Sequence, residues 1–261
     1  MQSQNRALAL ATFLVIITVA APAAAQDPLV VAPKAYKLQF ENDWVRVVRV
    51  HYAPFEKLPV HDHPKRQSIF VYLNDGGPVR FKHVEGVSGD YSAVRPPTRH
   101  GAYRLAGIQP ENHIVENLSD VPSDFLQVEL KTEAVEMKSF RGRFFPEFGI
   151  KQEKGSYRKV EFENDQVRIT RLVCGARIEC AASDSSPHPG LVVALSPLLL
   201  KAVAKSGGPS QLKLGLGESS WLEAGERRQW QNLDQAQAHH LLIEFKTRPA
   251  KTTSSAEKHK H

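Results

Sequence analysis

Cysteine is scarce: Cys174 and Cys180 are the only two in 261 residues, so a disulfide-dense scaffold is excluded. Long apolar runs are scarce too. After the uncharged stretch at residues 7–21 only residues 191–200 stand out, and they are too few to span a bilayer and include Pro197. Nor is there a block of one charge. Thirty-four Lys+Arg against 28 Asp+Glu give a net charge of +6, but the signs alternate along the chain with no basic stripe, which argues against a nucleic-acid partner. With 16 Gly, 17 Pro and 41% hydrophobic residues, the composition is that of a globular protein, neither collagen-like nor disordered.

What is present begins with an export signature. A short polar start carrying Arg6, the apolar run, Pro22 and Ala23-Ala24-Ala25 before Gln26 form the three-part pattern of a secretory signal peptide over residues 1–25. Cleavage after Ala25 is expected, giving a periplasmic or secreted protein without stable membrane insertion. An uncleaved anchor is the alternative, but it would need roughly 20 apolar residues. In an oxidising compartment Cys174 and Cys180, which flank the turn signal Gly175-Ala176, can close a disulfide if their α-carbons come within roughly 7 Å. Two thiols packed as small apolar residues are the other reading.

The chain repeats itself. Phe40-Glu41-Asn42-Asp43 returns as Phe162-Glu163-Asn164-Asp165 at an offset of 122 residues, and Val45-Arg46 returns as Val167-Arg168. At the far end of each copy, Asn117-Leu118 and Val128-Glu129-Leu130-Lys131 match Asn232-Leu233 and Ile243-Glu244-Phe245-Lys246. Two copies of one domain, at 35–132 and 156–247, therefore fill most of the chain. Residues 133–155, rich in aromatic and basic side chains, are expected to be a packed crossover. Residues 248–261 are expected to be a disordered tail.

Each copy alternates apolar and polar residues in short runs, as in Val45 to Val50, Ser68 to Leu73 and Phe125 to Leu130. Turn clusters such as Asn74-Asp75-Gly76-Gly77-Pro78 separate them. The prediction is an all-β chain, each copy a small antiparallel barrel or double-sheet jelly roll.

One run carries chemistry. In Val60-His61-Asp62-His63-Pro64 the two histidines point to one side of a strand, where they can share a divalent ion if other strands add ligands. Gln67 follows four residues after His63, and His113 opens His113-Ile114-Val115-Glu116-Asn117. This set resembles the cupin family, whose first motif is His-x-His, a Glu three or four residues on and an apolar strand ending in Gly, here Gly76. Its second motif ends His-x-x-x-Asn, matched by His113 and Asn117. The resemblance, covering both repeats, implies two tandem jelly-roll barrels, a bicupin. It also implies one divalent metal (Fe, Mn or Zn) on His61, His63, Gln67 and His113. Gln67 stands where the family places a carboxylate, which removes one negative charge from the set. His100, after Pro96-Pro97, is the alternative third imidazole.

The second copy has Ser183 and Ser185 opposite His61 and His63, and Arg228 opposite His113, so metal binding is assigned to the first copy alone. His239-His240 alternate across a strand and cannot both face one ion. The functional expectation is a metal-dependent oxygenase or isomerase acting on a small molecule. The competing expectation is a non-catalytic periplasmic module that binds or senses a small molecule or metal; whether the protein is an enzyme stays open between them.

Overall fold

In a computed structural model of the chain, the residues described are 26–84, 91–108, 112–135, 137–140, 144–145, 155–181, 186–202, 211–225 and 229–251. The expected signal segment, 1–25, lies outside them. Alternating sequences give strands with one face for a core, and the first half provides β1 (Tyr36–Glu41), β2 (Val45–Tyr52), β3 (His61–Asp62), β4 (Ser68–Tyr72), β5 (Val79–His83), β6 (Tyr91–Arg95), β7 (Tyr103–Ala106), β8 (Asn112–Asn117) and β9 (Ser123–Leu130). After α2 (Met137–Phe140) and β10 (Phe144–Phe145), the second half provides β11 (Tyr157–Glu163), β12 (Val167–Cys174), β13 (Gly190–Ala194), β14 (Leu198–Ala202), β15 (Gln211–Leu214), β16 (Ser219–Leu222), β17 (Trp230–Asn232) and β18 (Ala238–Phe245). A one-turn helix, α1 (Pro28–Val31), precedes β1 and is capped by the Asp27 side chain.

The strands form four sheets in two matching pairs. Order β1-β2-β9-β4-β7-β10 in the first half corresponds to β11-β12-β18-β13-β16 in the second, and β3-β8-β5-β6 corresponds to β17-β14-β15. The pairings among the described strands are antiparallel. Each half is thus two sheets enclosing one interior, the jelly-roll architecture expected from the alternation. Even the irregularities repeat: a register shift at Leu38/Phe40 recurs at Val160/Phe162.

The repeated asparagines explain themselves locally. Asn42 Oδ1 accepts from the N–H groups of Trp44 and Val45, and Asn164 Oδ1 does the same for Gln166 and Val167. Asn117 Nδ2 donates to the carbonyls of Ala53 and Val121 as Asn232 Nδ2 donates to those of Gly175 and Ala236. A turn leaves backbone groups without strand partners, and these amides satisfy them.

The large sheets face one another across a shared apolar core. Val47, Ile69 and Leu126 of the first half pack with Ile169, Val193 and Ile243 of the second, and Trp44 and Trp221 close the margin. The connection joins this core, for Phe145 stacks on Tyr103 at 4.6 Å and Phe140 is fully buried. Arg171 crosses the boundary, donating through Nη2 to Gly101 O and pairing with Glu161. Residues 248–250, placed in the tail by composition, pair with the first half. Arg248 O accepts from Glu133 N–H and Ala250 N–H donates to Lys131 O, adding a short bridge at Thr132 and Pro249 to the first half; the backbone pairing there overrides a polar composition.

Candidate metal centre

The first barrel's interior is set by strand parity. Val48, Val50 and Tyr52 of β2, Tyr72 of β4 and Phe125 of β9 point inward, while their neighbours join the shared core. β3 pairs with β8 so that His61 stands opposite His113, and the alternate residue His63 returns to the same side. One ring nitrogen from each of His61, His63 and His113 lies within 4.8 Å of the others. The ring centroids are 4.8 to 5.2 Å apart, and all three residues are almost wholly buried.

Orientation is fixed by neighbours. The Nδ1–H of His61 donates to Pro59 O at 2.9 Å, which leaves the Nε2 lone pair to accept from the Tyr36 hydroxyl at 3.1 Å; Tyr36 and Tyr52 hydroxyls are 2.7 Å apart. An imidazole held this way keeps its unprotonated nitrogen aimed into the site. Burial, which disfavours a charged ring, lowers the pKa of His61. Burial and then the neighbouring His61 bring His63 down to about 3. Burial and His63 likewise hold His113 well below the usual value. Three neutral, converging imidazoles, with His63 Nδ1 lacking a hydrogen-bond partner, are a donor set that fits a divalent ion.

Gln67 does not join them. It precedes β4 on the side of Ile69 and Val71, which face the shared core, and its Nε2 approaches Val135 O at 3.5 Å. The ligand assignment from motif spacing is corrected by this parity: a one-residue step along a strand reverses the face. His100 is also elsewhere, its N–H bound by Asp75 Oδ1. Asn117 serves the backbone. The second-copy counterparts Ser183, Ser185 and Arg228 lie outside the described residues.

Two side chains near the triad were not singled out in the sequence. His83 faces His113 in register and its ring is 5.5 Å away, stacked on Tyr91 at 4.2 Å. Only pairing β5 with β8 reveals it. Tyr36 reaches His61 from the first strand; its structural counterpart is Arg158, since Tyr36 pairs with Val50 as Arg158 pairs with Leu172.

The triad borders a cavity of about 400 Å³, which is within the range of small-molecule sites. His63 and His113 line one side, aromatic rings such as Phe70, Phe81 and Phe125 line the walls, and Gln127 contributes an amide. Behind Gln127 stands Glu129, paired with Arg46 and Arg66. Its pKa is raised to about 6 by burial, against the pull of Arg46.

No family model and no curated protein match the sequence. Solved structures do. A variant of oxalate decarboxylase from Bacillus subtilis, a cupin protein, has TM-score 0.53 at 12% identity, covering 79% of this chain and 70% of that one. The chain has the cupin fold, in two copies. AerE from Microcystis aeruginosa is similar at TM-score 0.54 and 11% identity, over 81% of this chain and 97% of that one. YhaK from Escherichia coli is similar at TM-score 0.52 and 13% identity, over 85% and 98%. At these identities the likeness concerns the cupin fold, and function must be argued from the site.

Proposed function

We propose that this cupin is an exported protein that holds one divalent metal on His61, His63 and His113 and uses it, as an oxygenase or isomerase, on a small molecule in the adjoining cavity. The observation that carries the reading is the convergence of three buried, neutral imidazoles at the wall of a ligand-sized cavity. Three protein ligands leave positions for substrate, the layout of a reactive rather than a purely structural ion. When bound, the metal supplies Lewis acidity or, if it is iron or manganese, redox chemistry. The chain's own contribution is to fix the His61 tautomer through Pro59, to hold Tyr36 against that ring, and to surround the substrate with apolar walls that exclude water. The similar oxalate decarboxylase is described with Mn(II) centres, which favours manganese among the candidate metals.

The second reading is a binding or sensing module without turnover. It is favoured by the absence of any Asp or Glu among the described residues that line the cavity, where His83 stands in register with His113. Metal content of protein taken from its native compartment, followed by oxygen uptake against enediol, catechol and keto-acid compounds, separates the two. Stoichiometric metal with turnover supports the enzyme; metal with ligand binding but no turnover supports the module; no metal sinks both metal readings. Export is supported by the N-terminal pattern and by the Cys174–Cys180 disulfide, with α-carbons 4.5 Å apart, a bond suited to an oxidising compartment. N-terminal sequencing of secreted protein should begin at Gln26.

A further inference from the structure

The described arginines follow a rule with two exceptions. Arg46, Arg49, Arg66, Arg168 and Arg171, all at least half-buried, each pair with a carboxylate. The described arginines lacking such a pair are otherwise exposed. Arg95 and Arg104 are neither exposed nor paired with an acid, and both line the cavity beside the triad. Their positions are built. Arg95 lies over the rings of Tyr72 at 5.1 Å and Phe125 at 5.7 Å, and its Nη2 donates to Ser123 Oγ. Arg104 lies over Phe70 at 4.7 Å, and the Phe70 and Phe125 rings are 6.0 Å apart. The Nε atoms of both guanidiniums are buried without a hydrogen-bond partner.

Partial burial of a guanidinium is unfavourable unless an anion answers it, and its planar fork matches a carboxylate in two parallel bonds. Aromatic faces beneath the cations hold them in place. The described lining of the cavity therefore carries two positive charges, no negative side chain, and walls of aromatic rings. We infer that its ligand is an aryl carboxylate of one or two rings, whose carboxylate is held by Arg95 and Arg104 while its ring lies among Phe70, Phe81 and Phe125. The volume, near the low end for small-molecule sites, sets the ring count. This inference rests on the reading of the cavity as a small-molecule site and names the class of molecule it takes.

The test uses the full chain, as purified and again after chelation by EDTA, titrated with benzoate, benzamide and acetate and followed by calorimetry and thermal shift. Benzoate should bind at least ~10-fold more tightly than either benzamide, which keeps the ring without the charge, or acetate, which keeps the charge without the ring. The preference should survive chelation. Arg95→Gln with Arg104→Gln should remove the benzoate preference while metal content stays at the wild-type level. Equal binding of benzoate and benzamide, equal binding of acetate, or no binding of benzoate at millimolar concentration would each overturn the inference, and these comparisons on the wild-type chain decide it even if the double variant fails to fold. Loss of metal with the benzoate preference retained would sink the metal reading alone. Stoichiometric metal with no preference would sink the anion site alone.

Discussion

The last strand of each barrel offers three inward positions: Phe125, Gln127 and Glu129 in the first barrel, His240, Leu242 and Glu244 in the second, aligned by their pairing with β2 and β12. Glu129 and Glu244 meet the same partner type, Arg46 and Arg168, so the barrels differ at the other two positions. There the first keeps a polar amide beside a cavity and three imidazoles. The second packs Leu242 with Leu172, Leu200, Leu212 and Trp230 and closes one end with the Cys174–Cys180 disulfide. One architecture thus supports two uses of its interior. Apolar filling stabilises, whereas a cavity lined by histidines forgoes that burial and retains a place for a ligand.

The sharpest way to break this contrast is at the triad. His61→Ala with His63→Ala should abolish stoichiometric metal in the purified protein, and the melting temperature of metal-loaded protein should fall to the apo value, because a ligand of the folded state stabilises by mass action. His188→Ala, in the second barrel, should change neither quantity. Metal retained by the double variant would place the centre elsewhere.

Packing gives the next largest effect. Trp230 is 5% exposed in the filled barrel, and Trp230→Ala should destabilise by about 3–5 kcal/mol in urea unfolding. Phe81→Ala, at the wall of the open cavity, should cost less than half as much, since its ring already borders empty space. Equal losses would mean that the two interiors are packed alike. Removing the disulfide by Cys174→Ser with Cys180→Ser closes off a smaller contribution, about 2 kcal/mol for so short a loop. It should be measured against wild type with and without reductant.

Acidity should separate the buried histidines from the buried Glu129 in sign. Burial and then Arg171 lower His239 to about 3, and burial lowers His240 to about 4. Unfolded chains protonate these rings near 6.5 while the folded protein does not, so stability from the second barrel is present above pH 6.5 and declines as pH falls towards 4. The loss at pH 5 should be on the order of 1–2 kcal/mol per histidine, and His240→Leu should flatten its share. Glu129 works in the opposite sense: raised to about 6 in the fold, it favours the folded state most below the unfolded carboxylate range and loses that advantage as pH rises through 6. Denaturation at pH 5 and 7 for Glu129→Gln and His240→Leu resolves the two slopes.

The smallest effect is expected at Gln67. A carboxylate there would tighten metal binding if the side chain faced the triad; because it faces Val135, Gln67→Glu should leave metal affinity within about 2-fold of wild type. A marked tightening would show that the strand preceding β4 is registered differently.

The sequence alone determined the strand periodicity, the duplication and the pair His61 and His63, because alternation along a strand is a local rule and a repeated Asn-centred turn needs only its own backbone. Those features survive in any arrangement of the sheets. Which face Gln67 presents, that His113 lies opposite His61, that His83 and Tyr36 come near the triad, and that Arg95 and Arg104 are left without acids were decided only in the tertiary structure. Each depends on register between strands far apart in sequence, and a register shift of one residue reverses every face without altering a single local propensity.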